Sequence, residues 1–145
     1  MESVRVKLLR SGAKLPAYGS DGAAGADLYA CISEPVEVLP GKSVFIPTGI
    51  SMEIPEGFAG LIYARSGLAC KRGLAPANKV GVIDSDYRGE FIVVLHNHGD
   101  ESQIIQHGER IAQLLITPVV TPSFQTVESL SDTERSVGGF GSTGK

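Results

Sequence analysis

Val4-Arg5-Val6-Lys7-Leu8 alternates apolar and polar residues with a period of two. Val36-Glu37-Val38-Leu39 and Ile50-Ser51-Met52-Glu53-Ile54 follow the same pattern, and Pro35, Pro40-Gly41, Pro47 and Pro55 bound them. A period of two places alternate side chains on opposite faces of an extended chain, so these runs predict half-buried strands. Further strands are predicted over 27–31, 58–63, 102–106 and 111–120, the last broken at Pro118. Two β-branched runs, 80–83 and 91–95, flank a polar stretch and predict a hairpin. Glycine (18) and proline (8) are spread along the chain and cut it into short pieces. Many short strands with regular turn signals predict an all-β sandwich, jelly roll or barrel. There is no internal repeat and no long heptad pattern.

One segment reads differently. Ser66-Gly67-Leu68-Ala69-Cys70-Lys71-Arg72-Gly73 opens on a capping residue and ends in basic residues and a glycine, the order of a short helix. It is too short to stand alone, so packing must hold it. With Ser66 at its N-terminus beside Arg65, free backbone N–H groups, a hydroxyl and a guanidinium converge, which suits phosphate. The plainer alternative is a capped helix with a solvated arginine.

At 145 residues the chain is expected to form one domain and to bury roughly two-thirds of its unfolded surface. Apolar residues make up 42% and charged residues 20%, an ordinary globular balance. A net charge of −3 argues against a general nucleic-acid or membrane binder. It leaves room for an anionic small ligand held by local arginines. Cys31 and Cys70 are too few for a disulfide framework and read as buried or half-buried thiols in a reducing compartment. No secretory pattern opens the chain and no apolar run approaches membrane-spanning length, so a soluble cytoplasmic protein is expected.

From Leu130 the composition shifts. Gly138, Gly139, Gly141 and Gly144 sit among Ser142, Thr143 and one aromatic, Phe140. The expected organisation is a core over 1–129 and a flexible, glycine-rich arm over 130–145. The arm matches the Rossmann fingerprint and most of a Walker A loop, but neither match follows a strand and opens a helix. What remains is the physics. Glycines let consecutive N–H groups face one anion, and an aromatic on a lid can stack on a base.

The stretch 81–90, Gly-Val-Ile-Asp-Ser-Asp-Tyr-Arg-Gly-Glu, carries more chemistry than a turn requires. A hairpin tip needs glycine, asparagine or aspartate for backbone reasons. This one adds a tyrosine, an arginine and two carboxylates, Asp84 and Asp86. A site is the sharper reading; a solvated, charged tip is the alternative. Asp86 serves equally to shape the turn, and Arg88 has Asp86 and Glu90 beside it as ion-pair partners.

Taken together, five segments resemble, in order, the five motifs of the dUTP pyrophosphatase (dUTPase) family. They are Ala24-Gly25-Ala26-Asp27-Leu28-Tyr29, Ala64-Arg65-Ser66-Gly67-Leu68-Ala69, the stretch 81–90, Gly108-Glu109-Arg110-Ile111-Ala112-Gln113-Leu114, and 135–144. The chain length suits the family's homotrimeric branch. The resemblance implies a distorted β jelly roll or barrel with one short helix, assembled as a trimer with active sites built from more than one chain. The implied reaction is magnesium-dependent hydrolysis of dUTP to dUMP and pyrophosphate, which keeps uracil out of DNA and supplies dUMP for dTTP synthesis.

The resemblance also implies roles. Asp84 matches the general base that directs water at the α-phosphate; an aspartate with a pKa of about 4 is ionised at neutral pH. Tyr87 matches the ring under the deoxyribose that excludes a 2′-hydroxyl. Asn78, with the backbone around Gly81 and Ile83, matches the uracil-recognition elements. Arg65, Ser66 and Gly67 match the phosphate cradle, and Gln113 a phosphate-contacting glutamine. Asp27 matches the acidic residue that would hold magnesium through water. In the arm, Arg135, Ser142 and Thr143 match γ-phosphate contacts, and Phe140 with Gly141 the cover over uracil. Relatives commonly carry glycine after the arm arginine; here Ser136 and Val137 intervene, and serine has less access to positive φ. Glu109 stands where aspartate is common, and Ala26 where tyrosine is common.

His96-Asn97-His98 places two imidazoles on one face of a strand, but only His107 remains as a third histidine, which favours a solvated strand end over a metal site. Two other function classes share the features above. A deaminase of the dCTP deaminase group would need an acid–base glutamate suited to cytosine, and would release ammonia. A non-catalytic nucleotide-binding or capsid-like β protein would not need Asp84, Gln113 and the phosphate set together.

Overall fold

The computed structural model describes residues 3–139. In chain order the strands are β1 (Arg5–Leu8), β2 (Ala17–Tyr18), β3 (Ala26–Tyr29), β4 (Val36–Val38), β5 (Ser43–Pro47), β6 (Ile50–Glu53) and β7 (Phe58–Tyr63). The helix α1 (Ser66–Arg72) follows, then β8 (Leu74–Pro76), β9 (Gly81–Ile83), β10 (Ile92–Asn97), β11 (Gln103–Ile105) and β12 (Arg110–Pro118). They form a five-stranded sheet ordered β2-β3-β12-β7-β9, a three-stranded sheet β5-β10-β8, and the pairs β1-β6 and β4-β11. Every ladder is antiparallel.

All four sheets feed one core. Leu28 of β3, Ile46 of β5, Ile50 of β6, Val93 and Leu95 of β10, Ile105 of β11 and Ile111 of β12 are buried together with Phe91. The alternation read from the sequence supplies this. In β10, Val93, Leu95 and Asn97 point inward and the residues between them do not. The result is the expected all-β, jelly-roll-like architecture with one short helix.

Three readings change. First, the runs 80–83 and 91–95 are not a hairpin. β9 pairs with β7, whereas β10 pairs with β5 and β8. The chain between them crosses from one sheet to another because its end is captured elsewhere. The Phe91 N–H donates to the Ile50 carbonyl at 2.9 Å, and the Phe91 carbonyl accepts from the Thr48 N–H at 3.2 Å and the Thr48 hydroxyl at 2.5 Å. Second, Arg65, not Ser66, is the N-cap of α1, with extended dihedrals (φ −87°, ψ 129°) and no side-chain capping bond. Gly73 closes the helix in the left-handed region, as the sequence suggested. Leu68 anchors α1 in the core. Third, Cys70 is exposed while Cys31 is buried. Two residues past Leu68, Cys70 is turned about 200° around the helix, away from the core.

Three strands were not anticipated. In β5, Val44-Phe45-Ile46 is uniformly apolar and shows no alternation, although Phe45 is 72% exposed. β8 contains Pro76, a residue that weakens any strand assignment. β2 has only two residues.

Beyond β12, residues 119–139 form no helix or strand. Val120, Phe124, Leu130 and Val137 are almost fully exposed there. Arg135 begins a turn in which its carbonyl accepts from the Gly138 N–H at 2.9 Å and its Nε–H donates to the Gly138 carbonyl at 2.9 Å. Ser136 does take a positive φ, +44°, and its N–H donates to the Thr133 hydroxyl at 3.0 Å. Serine therefore occupies the glycine-favoured conformation at a cost of roughly 1–2 kcal/mol. No helix of the described residues is long and apolar enough to cross a membrane.

Asn97 is the polar keystone of the core. Its Nδ2 donates to the carbonyls of Val38 and Glu101, both at 2.8 Å, and its Oδ1 accepts from the Gly99 N–H at 2.9 Å. Asn97→Leu keeps the volume but strands three backbone groups. We expect a loss on the order of 3 kcal/mol, read as a lower midpoint in urea unfolding.

Candidate functional site

β12 lies between β3 and β7, so its residues face both at once. Gln113 stands opposite Asp27 on one side and opposite Tyr63 on the other. Directly opposed residues in antiparallel ladders share a face, so the three side chains form a row across the sheet. The Gln113 Nε2 donates to the Ala64 carbonyl at 2.8 Å. A Cβ on Gly25 would sit 2.6 Å from the Gln113 Oε1, so a side chain there would displace the Gln113 amide.

Asp27 is the charge centre of this row. Its Oδ1 accepts from the Arg65 Nε at 2.7 Å and its Oδ2 from the Arg110 Nη1 at 3.2 Å, with the carboxylate only 14% exposed. Arg65 also reaches the Arg110 carbonyl at 3.4 Å. Arg110 was given no role from the sequence. In a regular strand, residues 110 and 113 point to opposite faces. A register shift between Arg110 and Ala112 removes that parity and brings Arg110 and Gln113 to the same aspartate. Beside them lies an open basin of about 500 Å³ lined by Arg65, Gly67, Lys71, Arg72, Glu109 and Arg110. Arg72 is bound to Glu109, to the Gln103 Oε1 at 2.8 Å and to the Ile104 carbonyl at 2.6 Å. Four cations against Asp27 and Glu109 leave the basin positive, which suits a polyanion.

A second cluster lies on β9 and the loop after it. Asn78, Gly81 and Ile83, with Ile62, Pro76 and Val94, line a narrow cleft of about 90 Å³. Asp84 and Tyr87 follow, both exposed. The Tyr87 N–H donates to the Asp84 carbonyl at 3.2 Å, and the Tyr87 hydroxyl donates to the Glu90 carbonyl at 3.1 Å. Arg88 pairs with neither Asp86 nor Glu90; its Nη1 donates to the carbonyls of Ser85 at 2.7 Å and Tyr87 at 3.0 Å. Glu90 instead receives the fork of Arg10. The Arg10 guanidinium, with a smaller contribution from the Gly49 N–H, outweighs burial and holds the Glu90 carboxyl below its ordinary range.

The two clusters are not adjacent within one chain. Ile83 pairs with Gly60 and Gly81 with Ile62, so β9 runs back along β7. Asp84 thus falls level with Ala59, whereas Arg65 lies beyond the other end of β7. At about 3.3 Å per residue the two ends are ~20 Å apart along the strand. Arg135 is exposed and bonded within its own turn. Phe140, Gly141, Ser142 and Thr143 lie outside the described residues.

His96 and His98 share a face, with ring centroids 4.5 Å apart. Burial, and next the charge of Lys79, lower the pKa of His98. Among the described residues no group of three or more His, Cys, Asp or Glu side chains comes together to hold a metal.

The sequence profile of the dUTPase family matches residues 11–144. The chain belongs to the dUTPase family. It is 50% identical to the deoxyuridine 5′-triphosphate nucleotidohydrolase of Syntrophotalea carbinolica, over 98% of this chain and 97% of that protein. It is 53% identical to the enzyme of that name from Chlamydia pneumoniae, over 94% of each. Among solved structures, the Staphylococcus bacteriophage 80alpha dUTPase with dUpNHpp superposes with a TM-score of 0.90 at 32% identity, covering 100% of both chains. The dUTPase of phage phi11 of S. aureus, in a mutant that shows coordination of a structural Mg(II) ion, superposes with a TM-score of 0.80 at 27% identity, over 88% of this chain and 98% of that one.

The lowered pKa of Glu90 has a pH consequence for this dUTPase. A carboxyl whose folded pKa lies below its unfolded value of 4.5 contributes stability at pH above 4.5 and loses it as pH falls through the folded value. Glu90→Gln should therefore flatten the fall in melting temperature between pH 6 and pH 3 (about 1.5 units either side of the ordinary carboxyl value), measured by circular dichroism.

Proposed function

We propose that this dUTPase hydrolyses dUTP to dUMP and pyrophosphate at a site divided between chains of a homotrimer. The observation that carries the division is the antiparallel β7–β9 register: Asp84 follows the end of β9 that lies beside the start of β7, and Arg65 follows the end of β7. A base and a phosphate cradle so far apart serve one substrate only when a second copy brings its Asp84 to the first copy's Arg65. Removing uracil-bearing triphosphate keeps uracil out of DNA, and the dUMP released supplies dTTP synthesis.

In this reading Arg65, with Ser66 and Gly67 at the start of α1, receives the phosphates, and Gln113 adds a donor. Asp27 holds Arg65 in one orientation through the Nε bond and leaves other guanidinium N–H groups for the substrate. The cleft of Asn78, Gly81 and Ile83 takes uracil by its polar edge. Such contacts penalise cytosine, whose donor and acceptor are exchanged, and a tight cleft penalises the 5-methyl of thymine. Tyr87 lies under the sugar and excludes the 2′-hydroxyl. Asp84 accepts a proton from water as the water attacks the α-phosphorus, and pyrophosphate leaves. Arg135, Ser142 and Thr143 meet the γ-phosphate, and Phe140 with Gly141 covers the base as the arm over 130–145 closes on the core over 1–129.

Magnesium fits as an ion carried by the triphosphate. Asp27 is already paired with two guanidiniums, so it suits an ion that keeps its waters and takes its direct ligands from phosphate oxygens. Asp27 would hold that ion through water. When bound, magnesium neutralises phosphate charge and restrains the triphosphate in a reactive conformation.

Asp84→Asn removes the proton acceptor but little volume. Turnover of dUTP should fall by about 100-fold or more, while binding of a non-hydrolysable analogue, measured by calorimetry, changes little; full activity would overturn the role of Asp84. Division of the site has its own test. Asp84→Asn chains and Arg65→Ala chains, each inactive alone, should regain part of the wild-type rate when mixed and reassembled, because some mixed sites receive an intact half from each. No recovery, with mixed assemblies shown by native mass spectrometry, would mean that one chain holds a complete site.

A further inference from the structure

The loop bearing Asp84 and Tyr87 is tied at its two ends by different means. At the start, β9 is hydrogen-bonded to β7. At the finish, the backbone of Phe91 is bonded to Thr48 and Ile50, and its side chain is fully buried. Glu90 lies just before this staple. Its Oε1 accepts from the Arg10 Nη1 at 2.7 Å and from the Gly49 N–H at 2.7 Å, and its Oε2 accepts from the Arg10 Nη2 at 2.5 Å. The fork is itself braced: the Gly49 carbonyl accepts from the N–H of Leu9, the chain neighbour of Arg10, at 2.8 Å. Position 49 admits no side chain, since its φ is +73° and a Cβ would lie 2.7 Å from that of Ala13.

Tyr87, by contrast, is 44% exposed. Its ring lies over Gly89, where a Cβ would collide with the ring carbon Cζ, and makes a tilted contact with Phe91 at 6.3 Å; its hydroxyl donates to the Glu90 carbonyl at 3.1 Å. The Glu90 carbonyl shares one planar peptide with the Phe91 N–H, so the Phe91–Ile50 bond holds it from one side while the Arg10 fork holds the Glu90 side chain from the other.

We infer that Arg10 and Glu90 form a specificity-determining pair: by holding Glu90 in place they fix the Gly89–Glu90 segment on which the Tyr87 ring rests, and so set the discrimination between deoxyribo- and ribonucleoside triphosphates without touching the nucleotide. The inference rests on the reading of Tyr87 as the wall beneath the sugar. The pair is poorly suited to a role in stability alone. Arg10 is 43% exposed and Glu90 19%, and a partly solvated ion pair makes only a modest contribution to folding. The Phe91 staple keeps the loop attached when the pair is broken. A bidentate guanidinium–carboxylate bond, however, fixes an angle as well as a distance, and it is angle that a ring wall needs.

The test is the ratio of kcat/KM for dUTP to that for UTP, measured with the assembled protein and magnesium. In Arg10→Ala and in Glu90→Gln the ratio should fall by about tenfold or more, with Arg10→Lys recovering part of it through a single bond. Tyr87→Phe, which removes only the hydroxyl bond to the Glu90 carbonyl, should lower the ratio too and leaves the ion pair intact, so the inference stays testable if Arg10→Ala folds poorly. Tyr87→Ala sets the floor. A lowered ratio in Tyr87→Ala with an unchanged ratio in Arg10→Ala and Tyr87→Phe overturns the inference and leaves Tyr87 as the wall. An unchanged ratio in Tyr87→Ala overturns the wall itself. Loss of both activities in parallel, at an unchanged ratio and a lowered melting temperature, assigns the pair to folding and likewise overturns the inference.

Discussion

Strand β12 is hydrogen-bonded along both edges, and that double pairing organises the molecule. Through β3 it places Asp27, through β7 it places Tyr63 and the Ala64-Arg65 segment, and its own Gln113 lies between them. None of these positions is adjustable alone, because a one-residue slip in either ladder would turn the partner's side chains to the opposite face. The buried residues of β12, Ile111, Ala112 and Leu114, resist such a slip, since it would carry them out of the core. The precision of the polar row is inherited from the apolar residues behind it.

The polar groups divide into two kinds. Asn97 and Thr48 are buried and bonded almost wholly to backbone; they position chain segments that side-chain packing alone would leave loose. Asp27, Arg65, Arg110 and Glu90 are partly open and bonded to one another. Burial makes the first group costly to disturb. Partial solvation makes the second group cheap in folding terms, so its charges stay available for a ligand.

Much of this was legible in the chain. The run Phe58–Tyr63 emerges as a strand with the bounds read from its pattern, and the Lys71-Arg72-Gly73 ending stops the helix as expected. The family motifs located Asp27, Arg65 and Gln113, which the fold draws into one cluster. What failed to show depended on distant registers or local irregularities. The runs 80–83 and 91–95 looked like hairpin partners because nothing local says that Phe91 is captured by Thr48 and Ile50. Arg110 was overlooked because a bulge breaks the parity on which strand reasoning rests. The pairing of Arg10 with Glu90 spans 80 residues and has no sequence signature. Ser136 was expected to resist a positive φ, and its turn hydrogen bonds hold it there.

The length of β7 carries a further implication. On the proposed roles, a newly made chain that has not met its siblings owns every reactive group and yet is chemically silent, because six residues of strand hold attacking and receiving machinery apart. Output at high dilution should then climb more steeply than in proportion to the amount of polypeptide present. Association itself becomes the on-switch.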